Sequence, residues 1–141
     1  MSNEIIVSLE NISEIAYFLI DKLPENVIIF LDGEVGAGKT TLVQEIAKKF
    51  NINDSVTSPT FSLQQQYGDK LFHYDLYRLD DDEFLNLGLH EELDKDGWHL
   101  IEWGGSKLKE FLKIAGYNTS RVTILPHDND RLYIIGDECI L

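Results

Sequence analysis

The octapeptide Gly33-Glu34-Val35-Gly36-Ala37-Gly38-Lys39-Thr40 constrains the fold more than any other stretch of the chain. It satisfies the pattern GxxxxGK[ST] at every specified position, which chance alone would place in roughly 0.5% of chains of this length. A loop that wraps a polyphosphate turns several backbone N–H groups inward. The torsions and close approach this requires are open to glycine and obstructed by a Cβ. Lys39 then supplies a positive charge for the β- and γ-phosphates, and the Thr40 hydroxyl a ligand for Mg²⁺. Such a loop works only between a strand and a helix, and both flanks comply. Val27-Ile28-Ile29-Phe30-Leu31 is a continuous apolar run suited to a parallel strand buried on both faces. Leu42, Val43, Ile46, Ala47 and Phe50 recur at helical spacing, so a helix from about Lys39 to Phe50 points its N-terminal dipole at the phosphates. The pattern predicts an α/β nucleotide-binding fold in a single domain over residues 1–141, a length that buries one core and is too short for two.

The remaining segments supply the layers around this unit. Asn11 with Glu14 reads as a capping box before the apolar stripe Ile12, Ile15, Ala16, Leu19, Ile20 and Leu23, a helix that Pro24 ends. Pro59 interrupts Val56-Thr57-Ser58-Pro59-Thr60-Phe61 and assigns that segment to an edge or bend. Ser62 to Tyr67 and Lys70 to Leu76 form a hairpin about Gly68-Asp69, so the expected sheet is mixed. The return strand ends in Asp75. Asp80 to Glu83 cap a helix carrying Phe84 and Leu87, which Gly88 breaks before a short helical piece from Leu89 to Lys95. Trp98-His99-Leu100-Ile101 is another buried strand that ends in an acid, Glu102, followed by Trp103 and Gly104-Gly105. Ser106 caps a helix with Leu108, Phe111 and Leu112 inward, which Gly116 ends, and Arg121 to Leu125 pairs with Arg131 to Ile135 in a closing hairpin. Asp75 and Glu102 both stand where ligands sit in doubly wound sheets, at strand ends beside the phosphate loop, where an acid binds Mg²⁺ or positions water.

Several function classes are excluded. Cys139 is the one cysteine, so redox chemistry is not indicated. His73, His90, His99 and His127 lack zinc-ligand spacing, and there is no GxSxG hydrolase motif. No apolar run reaches the length of a membrane span and Met1-Ser2-Asn3-Glu4 is no secretory leader, so the expected location is cytoplasmic. A net charge of -13 opposes direct binding of nucleic acid, so any service to RNA runs through a protein partner.

Four blocks taken together resemble the TsaE (YjeE) family: the loop Gly33 to Thr41, Thr57-Ser58-Pro59-Thr60-Phe61, His73-Tyr74-Asp75-Leu76-Tyr77-Arg78-Leu79, and Ile101-Glu102-Trp103. The loop is shared by many NTPases, and the specificity lies in its combination with the other three. The resemblance implies a three-layer P-loop NTPase-like fold with a mixed central sheet flanked by helices. It implies a Mg²⁺-dependent ATPase of low intrinsic activity that serves N6-threonylcarbamoyladenosine modification of tRNA. TsaD and TsaB proteins would be its partners, with tRNA reached only through them. Residue by residue, it places Gly33 to Thr41 on ATP, Thr40 on Mg²⁺, Ser58 and Thr60 in a switch-like segment, Asp75 in the Walker-B-like position, and Glu102 at the metal or the attacking water with Trp103 beside it. Glu34-Val35 departs from the family, which more often begins with Asp, at a position that offers only backbone to phosphate. Which of the two acids holds the metal stays open in the sequence; placement favours Glu102 on Mg²⁺ with Thr40, and Asp75 as an acid that either supports the metal's ligands from behind or orients the water. Two alternatives stay open: a small-molecule or nucleoside kinase, although Arg78, Arg121 and Arg131 are the only arginines and no lid insertion is visible, and a nucleotide-dependent switch with negligible turnover. The absence of an NKxD segment favours ATP over GTP.

Overall fold

The structure, a computed structural model, describes residues 3–52 and 63–136. In chain order the elements are β1 (Asn3–Val7), α1 (Ser13–Lys22), β2 (Val27–Asp32), α2 (Lys39–Lys49), β3 (Gln64–Tyr67), β4 (Leu71–Asp75), α3 (Asp81–Asn86), β5 (Trp98–Glu102), α4 (Ser106–Ile114), β6 (Thr119–His127) and β7 (Asp130–Gly136). The strands form one sheet in the order β1-β7-β6-β2-β5-β4-β3. β4, β5, β2 and β6 run parallel, while β3, β7 and β1 pair antiparallel at the flanks, so the sheet is mixed as expected.

Strand alternation divides the core in two. Ile29, Leu31, Leu71, Leu100, Val122 and Ile124 face Ile15, Ala16 and Leu19 of α1 and Leu42, Val43 and Ile46 of α2. Ile28, Phe30, Phe72, Tyr74 and Ile101 face Phe84 of α3, Leu93, and Leu108 and Leu112 of α4. Helices thus cover both faces, giving three layers. β2 and β5 are buried along nearly their whole length because both of their faces are covered. Among the described residues, no helix is long and apolar enough to cross a membrane.

Several local expectations are corrected. Asn11 and Glu14 form no capping box: the chain enters α1 through a short 3₁₀ turn at Leu9–Asn11, Ile12 is already helical (φ -60, ψ -25), and the Asn11 amide donates to Ser8 Oγ at 3.0 Å. The helix does end before Pro24, with Leu23 extended as a residue preceding proline must be. Ser106 is the first residue of α4 and caps nothing, and Phe111 is 39% exposed while Leu108 and Leu112 are buried. β1 was not anticipated: its apolar run Ile5-Ile6-Val7 is too short to signal a strand without its partner β7. The closing hairpin is longer than the pattern suggested, with Asp128 at φ 53 in a two-residue turn that pairs His127 with Asp130. The segment Val56 to Phe61, with Ser58 and Thr60, lies outside the described residues, as does Cys139.

Candidate active site

The parallel strands end side by side at one edge. Leu31 lies opposite Glu102 and Glu102 opposite Asp75, so the two acids are neighbours on the face that α2 covers. The phosphate loop leaves β2 at this edge and enters α2. Gly36 (φ 84) and Gly38 (φ 108) hold left-handed torsions with open space where a Cβ would stand, the backbone of a concave cradle. The α2 ladder begins with Leu42 N–H donating to Gly38 O at 3.1 Å, so the amides of the first turn have no acceptor one turn back and offer themselves to an anion.

Lys39, the first residue of α2, is buried and turned back over its own loop. Its ammonium donates to Gly33 O at 2.7 Å, lies 3.7 Å from Glu102 Oε1, and sits 4.0 Å from the centre of the Trp103 ring. Trp103 takes a left-handed backbone (φ 63) directly after β5, which swings its indole from the strand end onto Lys39, where the ring face meets the cation. Tyr77 packs edge-on against the same indole at 5.1 Å.

Glu102 is gripped on both oxygens. Oε2 lies 2.5 Å from His73 Nε2 on β4, and the other oxygen faces Lys39. His73 and Glu102 point to the same face because His73 is opposite Leu100, two residues before Glu102. Among the described residues His73 Nδ1 is buried without a hydrogen-bond partner, and the ring's polar contact is this one carboxylate. Asp75 is half-buried and accepts the Tyr77 amide through Oδ1 at 3.0 Å, a turn that closes β4. On the opposite face of β2, Asp32 is held by Arg121 Nε at 3.1 Å and Lys109 Nζ at 3.5 Å, which fixes the strand end that launches the loop.

Beneath the acids a second polar chain ties β3, β4 and β5. His99 Nε2–H donates to Lys95 O at 2.7 Å, which leaves Nδ1 to accept the Tyr74 hydroxyl at 2.7 Å; Gln64 then bridges Tyr74 to Glu92, and Glu92 pairs with Lys95. Burial raises the Tyr74 pKa and lowers that of His99, so both stay neutral and the His99 ring stacks flat on Phe72 at 4.4 Å.

The structure thus brings Lys39, Thr40, Glu102, Asp75 and Trp103 to one edge of the sheet. Two residues at this edge were missed. His73 opens one of the blocks that carry the family resemblance but has no role assigned by the sequence, and its partner is 29 residues away on a neighbouring strand. Arg131, read only as part of a hairpin, donates through Nε to Ala37 O of the phosphate loop at 3.2 Å. No local spacing signals either contact.

The donor set suits a nucleotide with a hard cation. The Thr40 hydroxyl and the Glu102 and Asp75 carboxylates are oxygen ligands of the kind Mg²⁺ takes. Among the described residues no three His, Cys, Asp or Glu side chains converge, and a cation held by these oxygens would complete its shell with phosphate and water, as Mg²⁺ commonly does.

A family model described as threonylcarbamoyl adenosine biosynthesis protein TsaE matches residues 6–132. Curated relatives are tRNA threonylcarbamoyladenosine biosynthesis proteins TsaE. That of Nostoc is 41% identical over 83 residues, 57% of this chain and 51% of its own length. That of Rickettsia conorii is 43% identical over 99 residues, 67% and 56% of the two chains. That of Bacillus subtilis is 40% identical over 107 residues, 68% and 67%. The chain spans about half the length of the first of these relatives. The crystal structure of Bacillus subtilis YdiB is similar with a TM-score of 0.69 and 25% identity, covering 99% of this chain and 90% of that one. The fold is that of P-loop NTPases.

Proposed function

The chain belongs to the TsaE family, and on that footing we propose that it is a Mg²⁺-dependent ATPase whose turnover supports threonylcarbamoyladenosine modification of tRNA in the cytoplasm. It acts with TsaD-like and TsaB-like partner proteins and meets tRNA only through them. The observation that carries this reading is the convergence on Lys39: a buried ammonium at the head of α2, between the loop carbonyl of Gly33 and the strand-end carboxylate of Glu102.

A buried lysine whose nearest acceptors are one carbonyl and one carboxylate is poised to exchange them for phosphate oxygens. The loop amides and the α2 N-terminus bind the polyphosphate, and Lys39 neutralises charge on its terminal part. Mg²⁺, when bound, supplies Lewis-acid stabilisation of the transferring phosphoryl group. Thr40 and Glu102 are the residues that would hold that cation, Glu102 through the oxygen that faces Lys39 in the structure, while His73 keeps the carboxylate aimed by its other oxygen. Asp75, with one oxygen engaged by the Tyr77 amide, orients the attacking water with the other.

Steady-state ATP hydrolysis with and without TsaD-like and TsaB-like proteins tests the reading. Turnover is low alone and rises with the partners. Glu102→Ala is partly rescued by added Mg²⁺, whereas Asp75→Ala binds Mg-ATP nearly normally and loses kcat. Phosphoryl transfer to a nucleoside or metabolite with no stimulation by partners would replace this function by a kinase.

A further inference from the structure

We propose that Arg131 is a positioning residue for the phosphate loop: by donating Nε–H to Ala37 O it fixes the Ala37–Gly38 peptide so that the Gly38 N–H faces the phosphate side. The proposal rests on the nucleotide-site reading and gives the closing hairpin a part in it.

The loop needs such a hold. Glycines at 36 and 38 let the backbone reach its cradle, and the same freedom lets the intervening peptides flip out of it at little cost. Ala37 itself is restrained at both polar groups. Its N–H donates to Glu34 O at 2.9 Å, closing a turn, and its carbonyl accepts from Arg131 at 3.2 Å. In a trans peptide the carbonyl and the following N–H point in opposite directions. Sheet order places β7 on one side of β2 and β5 on the other, so a carbonyl drawn towards β7 turns the Gly38 N–H towards the side where Glu102 and Asp75 stand.

Arg131 is itself well anchored. Its backbone is paired on both sides, with Pro126 of β6 and Val7 of β1, and its Nη1 donates to Asp130 O at 3.0 Å. The guanidinium is thus presented from the interior of a sheet, which gives a more exact placement than a loop would. The loop lies close on the same hairpin: a Cβ at Gly33 would come within 3.1 Å of Ile124 O on β6. A preorganised loop does not have to be ordered by its ligand, so losing this hold weakens nucleotide binding without removing any group that touches the reacting atoms.

Arg131→Met removes the donors and keeps an apolar stem, and Arg131→Lys restores a cation of similar reach. Two readouts decide, amide hydrogen exchange at Ala37 and the Kd for Mg-ADP by calorimetry. In Arg131→Met the Ala37 amide exchanges about fivefold faster or more, while the β2 amides of Ile29 and Leu31 do not change. The Kd for Mg-ADP rises about tenfold, and Arg131→Lys recovers part of both. If Arg131→Met does not fold, Arg131→Lys is read by the same two measures and lies between wild type and loss. Exchange at Ala37 and Kd both within twofold of wild type in a folded variant overturn the proposal. A wild-type protein that binds no nucleotide would instead remove the nucleotide reading, while exchange at Ala37 would still decide whether Arg131 holds the loop.

Discussion

Glu102 and His99 lie three residues apart on β5 and show opposite uses of a buried polar group. Glu102 is charge-paired to Lys39 and braced by His73, whereas His99 is kept neutral by burial beneath the site and donates to a backbone carbonyl. The second case yields a sign. Desolvation lowers the His99 pKa below its ordinary 6.5, outweighing the Lys95 carbonyl and Glu92, which pull it up. As pH falls through that value the unfolded chain takes up a proton that the folded chain refuses, so stability is lost on acidification, by at most about 1.4 kcal/mol per pH unit from this group. Thermal melts from about pH 7.5 to about pH 5 show Tm falling, and His99→Gln shows a shallower slope; equal slopes would mean that His99 is not the group concerned. The acids Asp75 and Glu102 were readable in the sequence because an acid closing an apolar strand is a local pattern. His73 and Arg131 were not, because each earns its place from a neighbour on another strand, and register alone decides which face a strand residue shares.

At the scale of elements, the start of α4 is made by α3. Asp81 accepts the amides of Gly105 and Leu108 at 3.0 and 2.9 Å, while Asp80 caps its own helix with Glu83 completing the capping box. The expectation that Asp80 to Glu83 cap their own helix describes Asp80 and Glu83 and misses Asp81. The contact is close: a Cβ on Gly105 would come within 2.4 Å of Asp81 Oδ2, and one on Gly104 within 2.7 Å of the Phe30 ring. The turn that carries Trp103 onto Lys39 is therefore pinned at its far end by a carboxylate from another helix. Asp81→Ala lowers stability by about 2 kcal/mol in urea denaturation, since two helix-start donors lose a charged acceptor. A loss within about 0.5 kcal/mol would show that water or Ser106 replaces it. Helices and strands with long apolar patterns were readable to within a few residues. Caps at Asn11 and Ser106 were not, since a cap depends on the angle at which the chain enters its helix and on acceptors 24 and 27 residues distant.

At the scale of the molecule, local pairing was readable and global order was not. The hairpins at Gly68 and Asp128 follow from turn residues, but nothing in the sequence places β6 beside β2 or inserts β7 between β6 and β1. That order matters, because it sets the closing hairpin against the phosphate loop and the two acids on the loop's other side. It also bears on charge. A chain of net charge -13 repels polyphosphates at long range, so affinity for a nucleotide has to be concentrated in one place where amides and a lysine face a single cradle. If that place is the loop, one side chain controls binding. Calorimetric titration of Mg-ATP into the wild-type protein and into Lys39→Ala tests this most directly, with circular dichroism confirming that the variant is folded. The account predicts saturable one-to-one binding by the wild type and at least about a tenfold loss of affinity in the variant. Equal affinities in the two folded proteins would contradict it.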